Sequence, residues 1–417
     1  MVGSVSLGPA SGGRSARGFD GAQYVKKSIA VASLAISLVS IGSAMAQPGN
    51  LAVLRVGAAG GTTSLTSAAA PVFIDRFDSI APAQLAPTVT WALPTTTIGA
   101  QRRLTISGSQ VAEGGLQLSG NGQYLVLGGY DASVGTAGGT GAGLLNNSGT
   151  GRVVARIDSA GNIDTSTVYG NGEFSGAAGT GLRGVYSADG TSFYGVGNGT
   201  GTLPGTSGGI RRIAFGTITA PALPSTLISP GNAGTGTANV RRVQAFNAQL
   251  YATTNSSPFT GVNSIGAGIP TNSGNSQTNL FGTGGSSYDF FFLSSTIAYL
   301  TDTRAIASGG GLQRWNFDGS VWSLAYTLTT GLDVGLSGLT GLSLAGGDVY
   351  FAGITSDGRR LVTITDNTGN VSATGSFVTL ATAPANTFFR GVAIPTPGAA
   401  FVLGLGTLAA SRRRRTA

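Results

Sequence analysis

The sequence predicts an all-β fold, a β-propeller of six blades whose ring is closed by strands from both termini. Three observations predict it: one hairpin pattern written five times, a second hairpin after most of the copies, and two incomplete ends that complement each other.

The first hairpin occupies residues 115–129, 181–197, 240–254, 289–303 and 339–353. Each copy is an apolar alternating run, a turn of small or polar residues and a second run with an aliphatic or aromatic centre, the period-2 signature of paired strands. Aligned on Val126, Tyr194, Tyr251, Tyr299 and Tyr350, the copies are 68, 57, 48 and 51 residues apart. Such spacing suits propeller blades, with the excess carried by Gly- and Ser-rich insertions, and is far longer than one coil of a parallel β-helix. A second hairpin follows at 152–170, 210–228, 312–328 and 361–380, making four antiparallel strands per repeat. Residues 51–57, 72–78 and 88–94 read as the second, third and fourth strands of a blade lacking its first. Residues 387–394 supply it: Arg390-Gly391-Val392 echoes Arg183-Gly184-Val185 of a first strand. A blade shared in this way leaves no open sheet edge. With the five internal blades it makes six, and a seventh would have to lie in the insertions near 135–150 or 255–285.

Composition agrees with a packed, turn-rich body. The 417 residues include 70 Gly, 41% are apolar and only 10% are charged, so enough surface can be buried to offset chain entropy. The formal charge of +8 is an end effect. Eight of the 24 basic residues and one of the 16 acids lie in the terminal segments, which leaves 16 Arg against 15 acids, or +1, over residues 47–397. The body has no Lys and no basic stripe, which excludes nucleic acid as the expected partner. There is no Cys and no His, which removes disulfides, Ser-His-Asp and Cys-His catalysis and His-ligated zinc.

The ends carry addresses. Residues 25–47 contain Lys26-Lys27, an apolar run from Ile29 to Ile41 and the small residues Ala44 and Ala46 before Gln47. This order is that of a secretory signal read by the secretion machinery, with cleavage between Ala46 and Gln47. Residues 1–24 lack hydrophobic periodicity, so translation is expected to begin at Val25. At the other end, Pro395-Thr396-Pro397 precedes a short apolar segment from Gly398 to Ala410 and the cluster Arg412, Arg413, Arg414 and Arg415. Proline ends the last strand, and the Arg cluster halts transfer on the cytoplasmic side. The tail resembles the PEP-CTERM sorting signal, a family feature that implies recognition and trimming by an exosortase-like membrane protease. Thr396 stands where that motif has Glu. The expected organisation is a signal region over 1–46, the propeller over 47–394 and a sorting or anchor tail over 395–417.

Chemistry is sparse. Residues 187–194 (SADGTSFY) resemble the S-x-D-G-x-x-L-Y turn of TolB-like and lactonase-like propellers, although Asp-Gly is also a favoured hairpin turn. Asp158, Asp189, Asp318, Asp357 and Asp366 all stand just before Gly, where Asp bonds its own backbone. Neither 158–164 nor 365–370 has calcium-loop spacing, and no catalytic residue, metal site or cofactor is assigned. Gly-rich 135–143 lacks the Lys and following helix of a phosphate loop, and Trp315 and Trp322 suit either sugar stacking or cross-strand packing. The candidate ligand-binding residues are Arg183, Arg241, Arg242 and Arg390, placed on first strands that line the channel. There they would hold an acidic extracellular polysaccharide, or else pair with Asp of neighbouring blades. The expected role is a non-enzymatic binding, adhesion or scaffold protein of the cell surface or matrix. The alternatives are a hydrolase or lyase using Asp, Tyr and Arg at the channel mouth, and a surface-layer component.

Overall fold

The computed structural model describes residues 49–137, 149–175, 181–199, 207–218, 225–232 and 238–395. The signal region with Ala44, Ala46 and Gln47, the start at Val25, residues 138–148, and the tail from Thr396 and Pro397 to Arg412–Arg415 lie outside them.

The first blade begins with β1 (Asn50–Val56), β2 (Ala69–Asp78) and β3 (Val89–Ala92). A short strand, β4 (Thr105–Ser107), bridges to the second blade, β5 (Leu116–Leu118), β6 (Tyr124–Tyr130), β7 (Arg152–Asp158) and β8 (Ile163–Tyr169). The third is β9 (Leu182–Tyr186), β10 (Ser192–Gly199), β11 (Gly209–Ala214) and β12 (Thr226–Ser229). The fourth is β13 (Ala238–Phe246), β14 (Gln249–Thr254), β15 (Gly261–Ile265) and β16 (Gln277–Phe281). The fifth is β17 (Ser287–Phe292), β18 (Ile297–Asp302), β19 (Gly311–Phe317) and β20 (Trp322–Leu328). The sixth is β21 (Leu336–Ser343), β22 (Asp348–Thr355), β23 (Arg360–Asn367) and β24 (Val378–Thr382). Finally β25 (Phe388–Ala393) returns to pair with β1, Ala52 opposite Ala393 and Val56 opposite Phe388. All these strand pairs are antiparallel, and the closing strand comes from the end predicted to supply it.

The segment 255–285 is no seventh blade. It holds β15 and β16, the outer hairpin of the fourth. Polar residues mask it in the sequence: Asn263 is wholly buried within β15, its amide donating to the Phe259 and Gly261 carbonyls at 2.8 Å each.

The core lies between the blades. Successive side chains of a strand point to opposite faces, so a strand buried on both sides feeds two packing layers. In β1, Ala52, Leu54 and Val56 join the layer shared with the second blade, and Leu51 and Val53 join the layer shared with the sixth. Corresponding apolar layers fill the other four interfaces. Trp315 and Trp322 belong to the layer between blades four and five, where both rings lie about 5 Å from Phe281.

Candidate functional site: the central channel

First strands β25, β5, β9, β13, β17 and β21 touch in succession round the ring and run in parallel, so the channel has two unlike ends. The charged residues of these strands, Arg390, Arg183, Arg241, Arg242 and Asp289, all lie at or before the strand midpoint.

Residues 108–115, between β4 and β5, close the charged end. The Gly108 carbonyl accepts from Arg390 Nη2 at 3.2 Å, the Val111 carbonyl accepts from Tyr288 Oη at 2.8 Å, and Gly115 N donates to the Arg183 carbonyl at 3.0 Å. One segment thus ties blades one, three and five across the channel. Glycine permits the approach: a Cβ on Gly114 would stand 2.7 Å from Arg390 Cβ, and one on Gly115 2.9 Å from Arg242 Cζ. The glycine of the repeated Arg-Gly-Val serves the same purpose, since a Cβ on Gly391 would meet Leu116 N at 2.4 Å and the Gly114 carbonyl at 2.6 Å.

The predicted arginines do converge here. Arg183, Arg242 and Arg390 are 5%, 0% and 2% exposed. Arg183 binds the Asn239 side chain. Arg242 donates to the Arg183 and Arg241 carbonyls at 3.1 and 3.0 Å, and its Nε lies 3.5 Å from Asp289 of the next blade. Arg241 is half-buried, and both it and Arg242 lie over the Tyr288 ring, at 5.4 and 4.6 Å. An anion at this end would have to displace 108–115 to reach more than Arg241. Burial lowers the Arg183 guanidinium to about 9, with Arg241 adding repulsion, and lowers that of Arg390 to about 10.

Glu113 is not among the residues predicted for this site. It is wholly buried in this cluster, accepting from Tyr130 Oη at 3.1 Å and Ser107 N at 3.3 Å, while Tyr130 Oη itself accepts from Leu182 N at 3.1 Å. Burial pushes its carboxyl up to about 8; the two hydrogen bonds and the charges of Arg183 and Arg390 pull the other way and lose. Asp289 is raised for the same reason. The available signal was rarity: the chain has two Glu, and the second, Glu173, is also wholly buried, 3.1 Å from Arg211.

The other end is a cavity of about 300 Å³ walled by Leu116, Leu118, Phe291, Leu339, Leu342 and Val392, with Gln117, Ser119, Tyr186, Gln244 and Thr340 as polar members and no carboxylate. Ile394, just past β25, lies at its edge, and Pro395 lies beside Gly122, Gln123 and Asp158. The Asp-Gly positions are turn formers: Asp189 Oδ1 accepts from Thr191 N at 2.9 Å, Asp158 Oδ1 from Ala160 N and Asn162 N at 2.9 Å, and Gly190 takes φ +83°.

No protein-family model matches the chain, and no curated protein matches it. Among solved structures, a candidate 6-phosphogluconolactonase from Bacteroides uniformis ATCC 8492 is similar over 81% of this chain and 84% of its own, with 14% identity and a TM-score of 0.39. A gluconolactonase from Xanthomonas campestris is similar over 81% and 87%, with 10% identity and the same TM-score of 0.39. The fold of this chain follows from its own strand pairing.

Proposed function

We propose that this chain is an exported propeller of the cell surface or extracellular matrix that works by binding, adhesion or scaffolding rather than by turnover. The distribution of carboxylates carries the reading. Hydrolysis without His or Cys needs at least one acid and one base that meet substrate, commonly two carboxyl groups. Glu113, itself part of 108–115, and Asp289 are both buried, and the open cavity is lined by aliphatic, aromatic, amide and hydroxyl side chains without a carboxylate. The amino-terminal signal and the PEP-CTERM-like tail supply the address, with the secretion machinery and an exosortase-like protease as processing partners and an extracellular polysaccharide or surface protein as ligand.

The test has two arms. In the native host, mass spectrometry of the surface fraction should find a chain beginning at Gln47; recovery of the unprocessed chain in the cytoplasm would refute export. The purified protein should retain matrix polysaccharide or envelope protein in pull-down while leaving lactones and polysaccharides unhydrolysed. Turnover abolished by Glu113→Gln or Asp289→Asn would refute the non-enzymatic role.

A further inference from the structure

We infer that the open, apolar end of the ring is the face the protein lays against a lipid bilayer. This rests on reading residues 398–415 as a membrane-directed tail. Three features of the fold converge on that face. The first is reach. β25 ends at Ala393 beside the cavity mouth, and only Ile394 and Pro395-Thr396-Pro397 separate it from the apolar segment that starts at Gly398. Three residues reach at most about 10 Å. A tail that enters the hydrocarbon so soon after β25 holds this end of the ring at the membrane surface, while 108–115 faces away.

The second is the surface itself. First strands end here, so the turns between first and second strands and between third and fourth strands open on this face. Blades two and three are joined at it, Gly120 N and Asn121 N donating to the Ser187 and Ala188 carbonyls at 2.9 and 2.8 Å. Third-to-fourth-strand turns of four blades expose large apolar side chains: Ile80 and Leu85 in the first, Ile218 in the third, Val321 in the fifth and Val371 in the sixth. Turn positions are ordinarily polar, so five large apolar side chains exposed at one level in four of the six blades set this face apart from the opposite one, where Ile98, Val111 and Val134 are exposed. The third is the other end of the body. β1 pairs antiparallel with β25, so Asn50 also leaves the ring on this face. Asp78, Asp158, Asp189 and Asp318 share these turns, each bonded into its own turn, so apolar contact and the tail, not charge, hold the face to lipid.

The absence of Cys makes the test direct, because a single introduced Cys is the only labelling site. Val321→Cys and Val371→Cys report the open face, and Val134→Cys, in the loop after β6, reports the opposite one. The full chain, labelled with an environment-sensitive dye, is bound to phosphatidylcholine vesicles containing a lipid-borne quencher. Labels at 321 and 371 should lose more than half their emission and the label at 134 should be unchanged. The tail variant Leu403→Asp/Leu405→Asp/Leu408→Asp should abolish the quenching. If the chain sediments with vesicles but position 134 is quenched as strongly as 371, the face assignment is overturned and the anchor reading stands. A chain that does not sediment with vesicles overturns both, and a tail variant still bound and quenched at 321 and 371 but not at 134 overturns the anchor reading alone.

Discussion

Substituting Glu113 by Gln should change how the stability of the ring depends on pH. The folded carboxyl holds its proton up to about pH 8, whereas the same group in the unfolded chain releases it near 4.5. Between those values the folded state carries one proton more, so stability must fall as pH rises, by about 1.4 kcal/mol per pH unit. Over the whole window this sums to at most about 5 kcal/mol, undiminished by solvent screening because the group is fully buried. The Gln side chain keeps the bond from Tyr130 Oη and gives up the one from Ser107 N, a pH-independent loss of about 1 kcal/mol. The variant should therefore lose ground slightly at pH 5 and gain on the parent steadily towards pH 8. Urea unfolding at intervals across this range measures the difference. Glutamate labelled with ¹³C at the side-chain carboxyl measures the cause, since Glu113 and Glu173 are the only two Glu of the chain and the variant assigns their signals. A Glu113 signal that titrates between 4 and 5, together with a stability difference that does not vary with pH, would refute the claim that burial outweighs the nearby guanidinium charges.

Two further substitutions probe the ring elsewhere. Gly391→Ala drives a methyl into the backbone of Leu116 and Gly114 and should destabilise the fold by about 1–3 kcal/mol, while Gly49→Ala, with nothing within 4 Å, should leave the melting temperature unchanged. Asp366→Ala removes the acceptor of Tyr299 Oη at 2.7 Å and Tyr326 Oη at 2.8 Å and the counter-charge 3.7 Å from buried Arg314, so a loss of about 3–5 kcal/mol is expected in thermal or urea unfolding. A loss below 1 kcal/mol would mean that this tie between blades five and six is dispensable.

The blades were legible because their cues are local. Alternation such as Leu-Gln-Leu at 116–118 and turns such as Asp189-Gly190 lie within one hairpin, and the shared Arg-Gly-Val reveals a first strand displaced to the far end of the chain. What was missed depends on distant partners. β4 is three residues long and exists because Pro71 and Tyr130 pair with Thr105. β15 is polar because its Asn side chain satisfies backbone carbonyls that no sequence window connects to it. The closure of the charged end was invisible for the same reason: the Gly108 and Val111 carbonyl oxygens accept from arginine and tyrosine side chains far along the chain. Clustering of the arginines could be anticipated from their strand positions. Their enclosure could not.

The pairing of β25 with β1 has a consequence for the life of the chain before it is a ring. The strand that finishes the first blade follows every other described strand in the chain, so a nascent form without it leaves β1 with a bare edge of backbone donors and acceptors. Contacts between residues this far apart in sequence form slowly. A chain stopped anywhere before Phe388 cannot hide that edge by folding further, only by finding another strand. The arrival of β25 is thus the event that covers the edge of β1, and premature termination or clipping near Thr387 should yield aggregates instead of a slightly weakened propeller.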